Sequence, residues 1–273
     1  MMIGLRLFDV SLRDGLQSLS RFYKFSEKKD LLHKIINKYN PEKIEVGSIV
    51  NSKVLPQMYD SLKLYNYCRE LKLKNCYLLT PNLYSVKKGI ENNVNNFSLV
   101  TSVSDEFQKK NVNKSLNETK LELSNIYDEL SKSNVDNIKL YISCVRECPI
   151  SGQVDLNFII DEIEYYFNKY ENINELCLSD TCGTLTFSDF KIILDRISMF
   201  YDTSIIEKLS LHLHKNKDMS HTHNIVNYAY LSGMNKFDVS CLDSGGCSVT
   251  IENDKMNNNL HYDDFNNIFS NYF

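Results

Sequence analysis

Ile3-Gly4-Leu5-Arg6-Leu7-Phe8-Asp9-Val10-Ser11-Leu12-Arg13-Asp14-Gly15-Leu16-Gln17 is the stretch that decides the architecture of this chain. Its first six residues are a short apolar run of strand character. It closes on an arginine–aspartate pair followed by a glycine, which permits a sharp turn. Two hundred residues on, Leu209-Ser210-Leu211-His212-Leu213-His214 carries two histidines one residue apart. Side chains alternate along a strand, so His212 and His214 face the same way. An aspartate at one strand end and two same-facing imidazoles on another make a candidate divalent-metal site.

Outward from these two stretches, strand-like runs recur at 43–47, 75–80, 96–102, 137–145, 175–179 and 236–242. Helical spacing fills the gaps. Leu31, Leu32, Ile35 and Ile36 mark one helix over 26–39, and a second runs over 55–71 with Pro56 tolerated at its start. A short helix follows at 86–92. Ser115 and Glu118 have the spacing of a capping box and predict a helix to about residue 132. Further helices are expected over 156–170 and 187–201, then one ending near Gly233, and a closing helix over 263–273. Eight strands alternating with helices predict a (β/α)8 TIM barrel, one domain over residues 1–273, with its active site where the strands end. An open doubly wound sheet is the alternative, but no glycine-rich phosphate turn follows the first strand. Asp14, Asp180 and His214 fall at strand ends and Glu45 lies on the second strand, consistent with a barrel mouth.

The formal charge of −4 gives no basic field for nucleic acid or an anionic membrane, and no apolar run is long enough to span a bilayer. A strand at the very start leaves no room for a targeting segment, so a cytoplasmic protein is expected. Eight cysteines in a chain of this size read as free thiols. Cys68, Cys76, Cys177 and Cys241 sit in apolar patterns and are expected in the core. Cys144 and Cys148 have zinc-like spacing without a second matching pair, and Cys247 follows Gly245-Gly246 on an expected exposed loop. His221 and His223 fall two apart on a helix and do not share a face, so they are read as surface.

Asp14, His212 and His214 offer one carboxylate and two imidazoles, a set open to Mg²⁺, Mn²⁺ or Zn²⁺. Three protein ligands leave positions for substrate oxygens, which makes the ion a Lewis acid. The competing reading is a pair of interior histidines satisfied by hydrogen bonds. Arg13 beside the ion would place a fixed cation where an enolate develops, a device worth roughly 3 kcal/mol of barrier. A salt bridge from Arg13 to Glu45 or Asp180 is equally natural. Those two carboxylates are expected to orient Arg13 and the substrate, or to supply a base; a strand-end aspartate also commonly caps the following helix.

With these residues in place, the chain resembles the 3-hydroxy-3-methylglutaryl-CoA lyases of the DRE-TIM metallolyase superfamily, over nearly its whole length. Arg13-Asp14-Gly15-Leu16-Gln17 matches the family's RDGLQ, and the stretch from Ile44-Glu45 to Val54-Leu55-Pro56-Gln57-Met58 resembles its second strand and turn. Leu79-Thr80-Pro81-Asn82-Leu83 matches TPNL, and Lys109-Lys110-Asn111-Val112-Asn113 is similar to KKNIN. Tyr141-Ile142-Ser143-Cys144 with Cys148-Pro149 is similar to YVSC…CP, which accounts for that cysteine pair without zinc. Ser179-Asp180-Thr181 resembles GDT, His212-Leu213-His214 matches HxH, and Gly245-Gly246-Cys247 matches the GGC loop.

The resemblance implies metal ligation by Asp14, His212 and His214. A fourth ligand in the family is an asparagine in a Gly-Asn pair; here the best match is Asn259, after an apparent three-residue insertion. It further implies that Arg13 stabilises the enolate, that Glu45 and Asp180 support it, and that Cys247 gives or takes a proton on a mobile lid. Gln17 and Lys215 are expected at the substrate. Lys215 stands where the family continues HxH with aspartate, and Ser248 replaces the proline after GGC. The implied activity is a metal-dependent carbon–carbon lyase, with Mg²⁺ or Mn²⁺ favoured, acting on an acyl-CoA thioester as a homodimer. Two alternatives stand beside it: a condensing acyltransferase of the isopropylmalate and homocitrate synthase type, disfavoured by Leu16 where those enzymes resemble RDGEQ, and a barrel that binds without catalysing.

Overall fold

The computed structural model describes residues 4–171, 173–246 and 257–270. Eight parallel strands close into a barrel in which each strand lies beside the next in sequence and the eighth returns to the first. They are β1 (Arg6–Asp9), β2 (Lys43–Ser48), β3 (Cys76–Leu79), β4 (Asn96–Ser102), β5 (Asn137–Ser143), β6 (Glu175–Asp180), β7 (Leu209–Leu213) and β8 (Lys236–Val239). Closure pairs Arg6 with Lys236 and Asp9 with Val239. The expected barrel is therefore what the chain forms, with each predicted strand within a few residues of its place.

The longer helices outside the barrel are α1 (Phe25–Lys34), α2 (Ser61–Glu70), α3 (Leu83–Glu91), α4 (Asp105–Val112), α5 (Leu116–Ser131), α6 (Leu156–Lys169), α7 (Phe187–Phe200), α8 (Met219–Leu231) and α9 (Tyr262–Phe269). Among the described residues, no helix is long and apolar enough to cross a membrane. Ser115 and Glu118 make the expected capping box at the start of α5. Two helices depart from their predicted spans. The 26–39 helix ends as α1 and continues as a wider turn, Ile35–Tyr39, stopped by Asn40 in the left-handed region at φ 45°. The 55–71 helix breaks into a turn, Pro56–Met58, and then α2. Its break has a local cause: the buried Lys28 ammonium binds the Gln57 carbonyl and the Asp60 carboxylate, taking that carbonyl out of helical pairing. Not anticipated were α4, capped by Ser104 accepting the Phe107 N–H, and a small hairpin pairing Glu147 with Gln153. Both are short and polar, below what apolar periodicity detects.

Alternation decides what the barrel encloses. On β5 to β8 the apolar positions Leu140, Ile142, Leu176, Leu178, Leu211 and Val239 belong to the core shared with the helices. The opposite parity holds Lys139, Tyr141, Glu175, Ser179, His212 and Asp238, all buried. The barrel interior is thus a packed polar column rather than an oily one, and the mouth at the strand ends opens above it.

Candidate active site

Asp14 reaches the mouth on a single wide turn of helix, Ser11–Gly15, that follows β1 directly. His212 lies on β7 and His214 just beyond it. One ligand atom from each of the three lies within 4.8 Å of the others, and all three residues are buried. The Asp14 Oδ2 atom is 3.9 Å from His212 Nε2 and 3.8 Å from His214 Nε2.

The far nitrogen of each ring is already engaged. His214 Nδ1 lies 2.8 Å from the Asn257 carbonyl, which can only accept, so that nitrogen carries the proton. His212 Nδ1 lies 3.1 Å from Asp238 Oδ2 and donates to it. The two Nε2 atoms face each other at 3.2 Å, close enough to share a proton or to bind one ion together. Burial, then the neighbouring His212, pushes the His214 imidazole down to about 4, so it is neutral at ordinary pH. Burial alone would raise Asp14, but Arg13 and the two histidines hold its carboxylate well below the usual range. A neutral His214 and an ionised Asp14 are protonation states that binding a divalent ion requires.

Asn259 joins this cluster. The segment 257–260 runs antiparallel beside His214, with the Lys215 N–H bonded to the Asn258 carbonyl at 2.7 Å. Asn259 Nδ2 donates to Asp14 Oδ2 at 2.9 Å, and its Oδ1 is buried with no partner among the described residues. Gly245 is required where it crosses this amide, since a Cβ there would lie 2.6 Å from the Asn259 side chain. An amide oxygen unpartnered among the described residues, two imidazole nitrogens facing each other and a carboxylate are a donor set that fits a divalent ion.

Arg13 is buried and doubly held. Its Nε donates to Glu45 Oε2 and its Nη1 to Asp14 Oδ1, each at 2.5 Å, and the guanidinium lies 5.4 Å from the centre of the Tyr141 ring. The expected salt bridge is made to Glu45, not Asp180. Gln17 donates to Asp14 Oδ1 at 2.8 Å and to the Gly246 carbonyl at 3.3 Å, while the Gly246 N–H reaches Asp14 Oδ2 at 2.9 Å. The root of the 245–246 loop is therefore fastened to the Asp14 carboxylate. Cys247, the next residue, lies outside the described residues.

Two expected site residues stand elsewhere. Asp180 has the outward parity of β6, and its carboxylate accepts the N–H groups of Thr184 and Leu185 at 3.0 Å each. It caps the turn leading to α7, and burial pushes it up to about 7. Lys215 pairs with Asp264 at 2.7 Å and Asp243 at 3.5 Å and does not line the cavity. His221 is half-buried rather than free surface, its Nδ1 accepting the Phe187 N–H at 3.2 Å.

Below the histidines lies a support that the motifs did not reveal. Asp238 on β8, which receives His212, is bracketed by two inward residues of β5: Lys139 at 2.5 Å on Oδ1 and the Tyr141 hydroxyl at 3.0 Å on Oδ2. Lys139 also meets Glu175 at 2.9 Å, and Glu175 meets Lys43 at 2.8 Å. A lone lysine and a lone aspartate at the same parity in apolar strands were the available signal.

The mouth opens into a cavity of about 830 Å³. Arg13, Asp14, Gln17, Tyr141, His212 and His214 line its floor, and Lys88, Lys110 and Tyr84 stand among the residues farther along its wall.

Against known proteins, the family model described as HMGL-like matches residues 4–261. The chain is 26% identical over 244 residues to the 3-hydroxy-3-isohexenylglutaryl-CoA/hydroxymethylglutaryl-CoA lyase of Pseudomonas aeruginosa, covering 89% of this chain and 78% of that protein. It is 24% identical to the human mitochondrial hydroxymethylglutaryl-CoA lyase, covering 89% and 72%. Among solved structures, an HMG-CoA lyase from Acinetobacter baumannii in complex with coenzyme A and 3-methylmalate superposes with a TM-score of 0.85 at 23% identity, over 98% of this chain and 84% of that one. At that identity the structural likeness is one of fold.

Proposed function

The chain belongs to the HMGL-like family, and from that premise we propose that it is a carbon–carbon lyase that cleaves a 3-hydroxy-3-methylglutaryl-CoA-like thioester to acetyl-CoA and acetoacetate. The observation that carries this reading is the pair of opposed His212 and His214 Nε2 atoms, 3.2 Å apart beside Asp14 at the floor of a substrate-sized cavity. Asp14, His212, His214 and Asn259 would hold the ion, Mg²⁺ or Mn²⁺ in preference to Zn²⁺. A divalent cation there supplies Lewis acidity to the hydroxyl and carbonyl or carboxylate oxygens of the acyl group.

The remaining steps fall to the chain itself. Counting from the thioester carbon, the hydroxyl on C3 loses its proton, the C2–C3 bond breaks, and its electron pair becomes the enolate of the acetyl thioester. Arg13 is oriented toward this work before substrate arrives, because Glu45 and Asp14 fix two edges of its guanidinium and Tyr141 stacks beneath it. Its fixed charge at the developing enolate oxygen is worth roughly 3 kcal/mol of barrier. Glu45 acts through Arg13, and Asp180 shapes the 181–185 turn. Cys247 follows the anchored Gly246 and is assigned the proton exchange at C2. Lys88 and Lys110 offer cations to the phosphates of the coenzyme. The family resemblance supports a homodimer acting in the cytoplasm.

The test is direct. Purified protein given Mn²⁺ or Mg²⁺ and the hydroxymethylglutaryl thioester should form acetyl-CoA and acetoacetate, stop on chelation, and resume when the ion is returned. Absence of acetoacetate under those conditions removes the named substrate.

A further inference from the structure

Cys144 and Cys148 have no part in the proposed chemistry, yet the chain is bent to bring them together. In the turn that joins them, Cys144 at φ 66° and Arg146 at φ 87° are both in the left-handed region, which residues other than glycine rarely enter. The two side chains are in hydrogen-bond contact. Further donors converge on the Cys148 sulfur: the Ser104 hydroxyl at 3.0 Å, and the Ile150 and Ser151 N–H groups at 3.3 and 3.4 Å. Such a ring of donors favours the thiolate. The Cys144 S–H, joined by Ser104 and Ser151 against the effect of burial, brings Cys148 down to about 4. Burial, then the neighbouring Cys148, pushes Cys144 well above the ordinary thiol range. One thiolate and one thiol are therefore held in contact at neutral pH. They sit directly behind the cavity wall: Cys144 follows Ser143, which lines it, and the Cys144 N–H donates to the hydroxyl of Thr181, which also lines it, at 2.8 Å.

We propose that Cys144 and Cys148 are a site of reversible oxidation, closed to an intramolecular disulfide by hydrogen peroxide. The Cys148 thiolate attacks one peroxide oxygen and the O–O bond breaks. The departing hydroxide takes a proton from solvent and leaves as water, and Cys148 is left as a sulfenic acid. Cys144 then attacks that sulfur, its proton going to the displaced hydroxide, and the S–S bond forms with release of a second water. Both sulfurs are thereby oxidised, and the electron pair they give up reduces the peroxide. Cys144 and Cys148 are buried, under a hairpin that pairs only Glu147 with Gln153 and Cys148 with Gly152, and Ile150 at its tip is 43% exposed. A hairpin this short is marginal by itself and opens locally, which admits a molecule as small as peroxide. The bridge is also readily undone. A reducing thiol that attacks the Cys144 sulfur expels the Cys148 thiolate, a good leaving group because its donors are already in place.

The experiment treats the reduced full chain with hydrogen peroxide, blocks the remaining thiols by alkylation and digests with trypsin. Arg146 lies between the two cysteines, so cleavage there puts them on separate peptides, and the bridge is read by mass as residues 140–146 joined to residues 147–169. That pair should be the main cross-link, and glutathione should dissolve it. In Cys144→Ser the cross-link should vanish and Cys148 should be trapped by dimedone as the sulfenic acid. Ser104→Ala should slow alkylation of Cys148 by iodoacetamide at pH 6 by about threefold, through loss of one donor. Peptides that stay separate in a large excess of peroxide overturn the proposal. So do a bridge from Cys148 to Cys182, oxidation confined to Cys247, and a Cys144→Ser chain whose Cys148 gives no dimedone adduct.

Discussion

The mouth of this barrel and the column beneath it use the same buried charges to opposite ends. At the mouth, Asp14 gathers Arg13, Gln17, the Gly246 N–H and Asn259, yet the cluster leaves two imidazole nitrogens facing only each other and an amide oxygen without a partner among the described residues. Below it, charges are matched in sequence: Asp238 with Lys139, Lys139 with Glu175, Glu175 with Lys43. The upper layer is incomplete and so able to take up an ion. The lower layer is closed and fixes the parts above it, most directly by aiming the His212 ring through Asp238. Reactivity and support are separated by one turn of side-chain alternation.

The largest effect that sharpens this contrast lies in the lower layer. Lys139→Met leaves Asp238 and Glu175 short of their shared cation in a fully buried setting, and should cost about 3–5 kcal/mol in denaturant unfolding. Adding Asp238→Asn should recover a good part of that loss, because it removes the uncompensated charge. A small effect of the single change would show that the column is not held by charge matching.

Next in size is Asp238→Asn alone. It keeps an acceptor shape for His212 but weakens the hold on its Nδ1–H, and should lower Mn²⁺ affinity by about 10–100-fold while the fold persists. Unchanged affinity would detach the lower layer from the metal site.

The third concerns Asp180 and is read as a slope in pH. Its carboxyl is raised in the fold to about 7 from an ordinary 3.8, so the protonated form is favoured by folding. Its contribution to stability is full below about pH 4 and is lost as pH rises through 7. Asp180→Asn should flatten the melting temperature over that window with metal binding intact. A steeper fall in the variant would contradict the capping role.

The barrel was legible because each strand is a short apolar run bounded by turn residues, and because β7 places His212 and His214 on one face by its own alternation. The same rule, applied one residue at a time, would have turned Asp180 outward and Ser179 inward on β6; the motif drew attention to the aspartate instead. Lys139, Tyr141 and Asp238 were not legible as a site, since their meeting depends on β5 and β8 facing each other across a closed barrel. The pairing of Lys215 with Asp264 likewise needed the position of α9. The break after Pro56–Met58 was hidden for a related reason, as it follows from Lys28 on a different helix.

The account stands on a divalent ion held by Asp14, His212 and His214. Calorimetric titration of the purified, metal-stripped chain with Mn²⁺ should show one site per chain, lost in both Asp14→Ala and His212→Ala, with circular dichroism confirming that the variants are folded. A chain that takes up no Mn²⁺, or an Asp14→Ala protein that binds it as the wild type does, would contradict the claim.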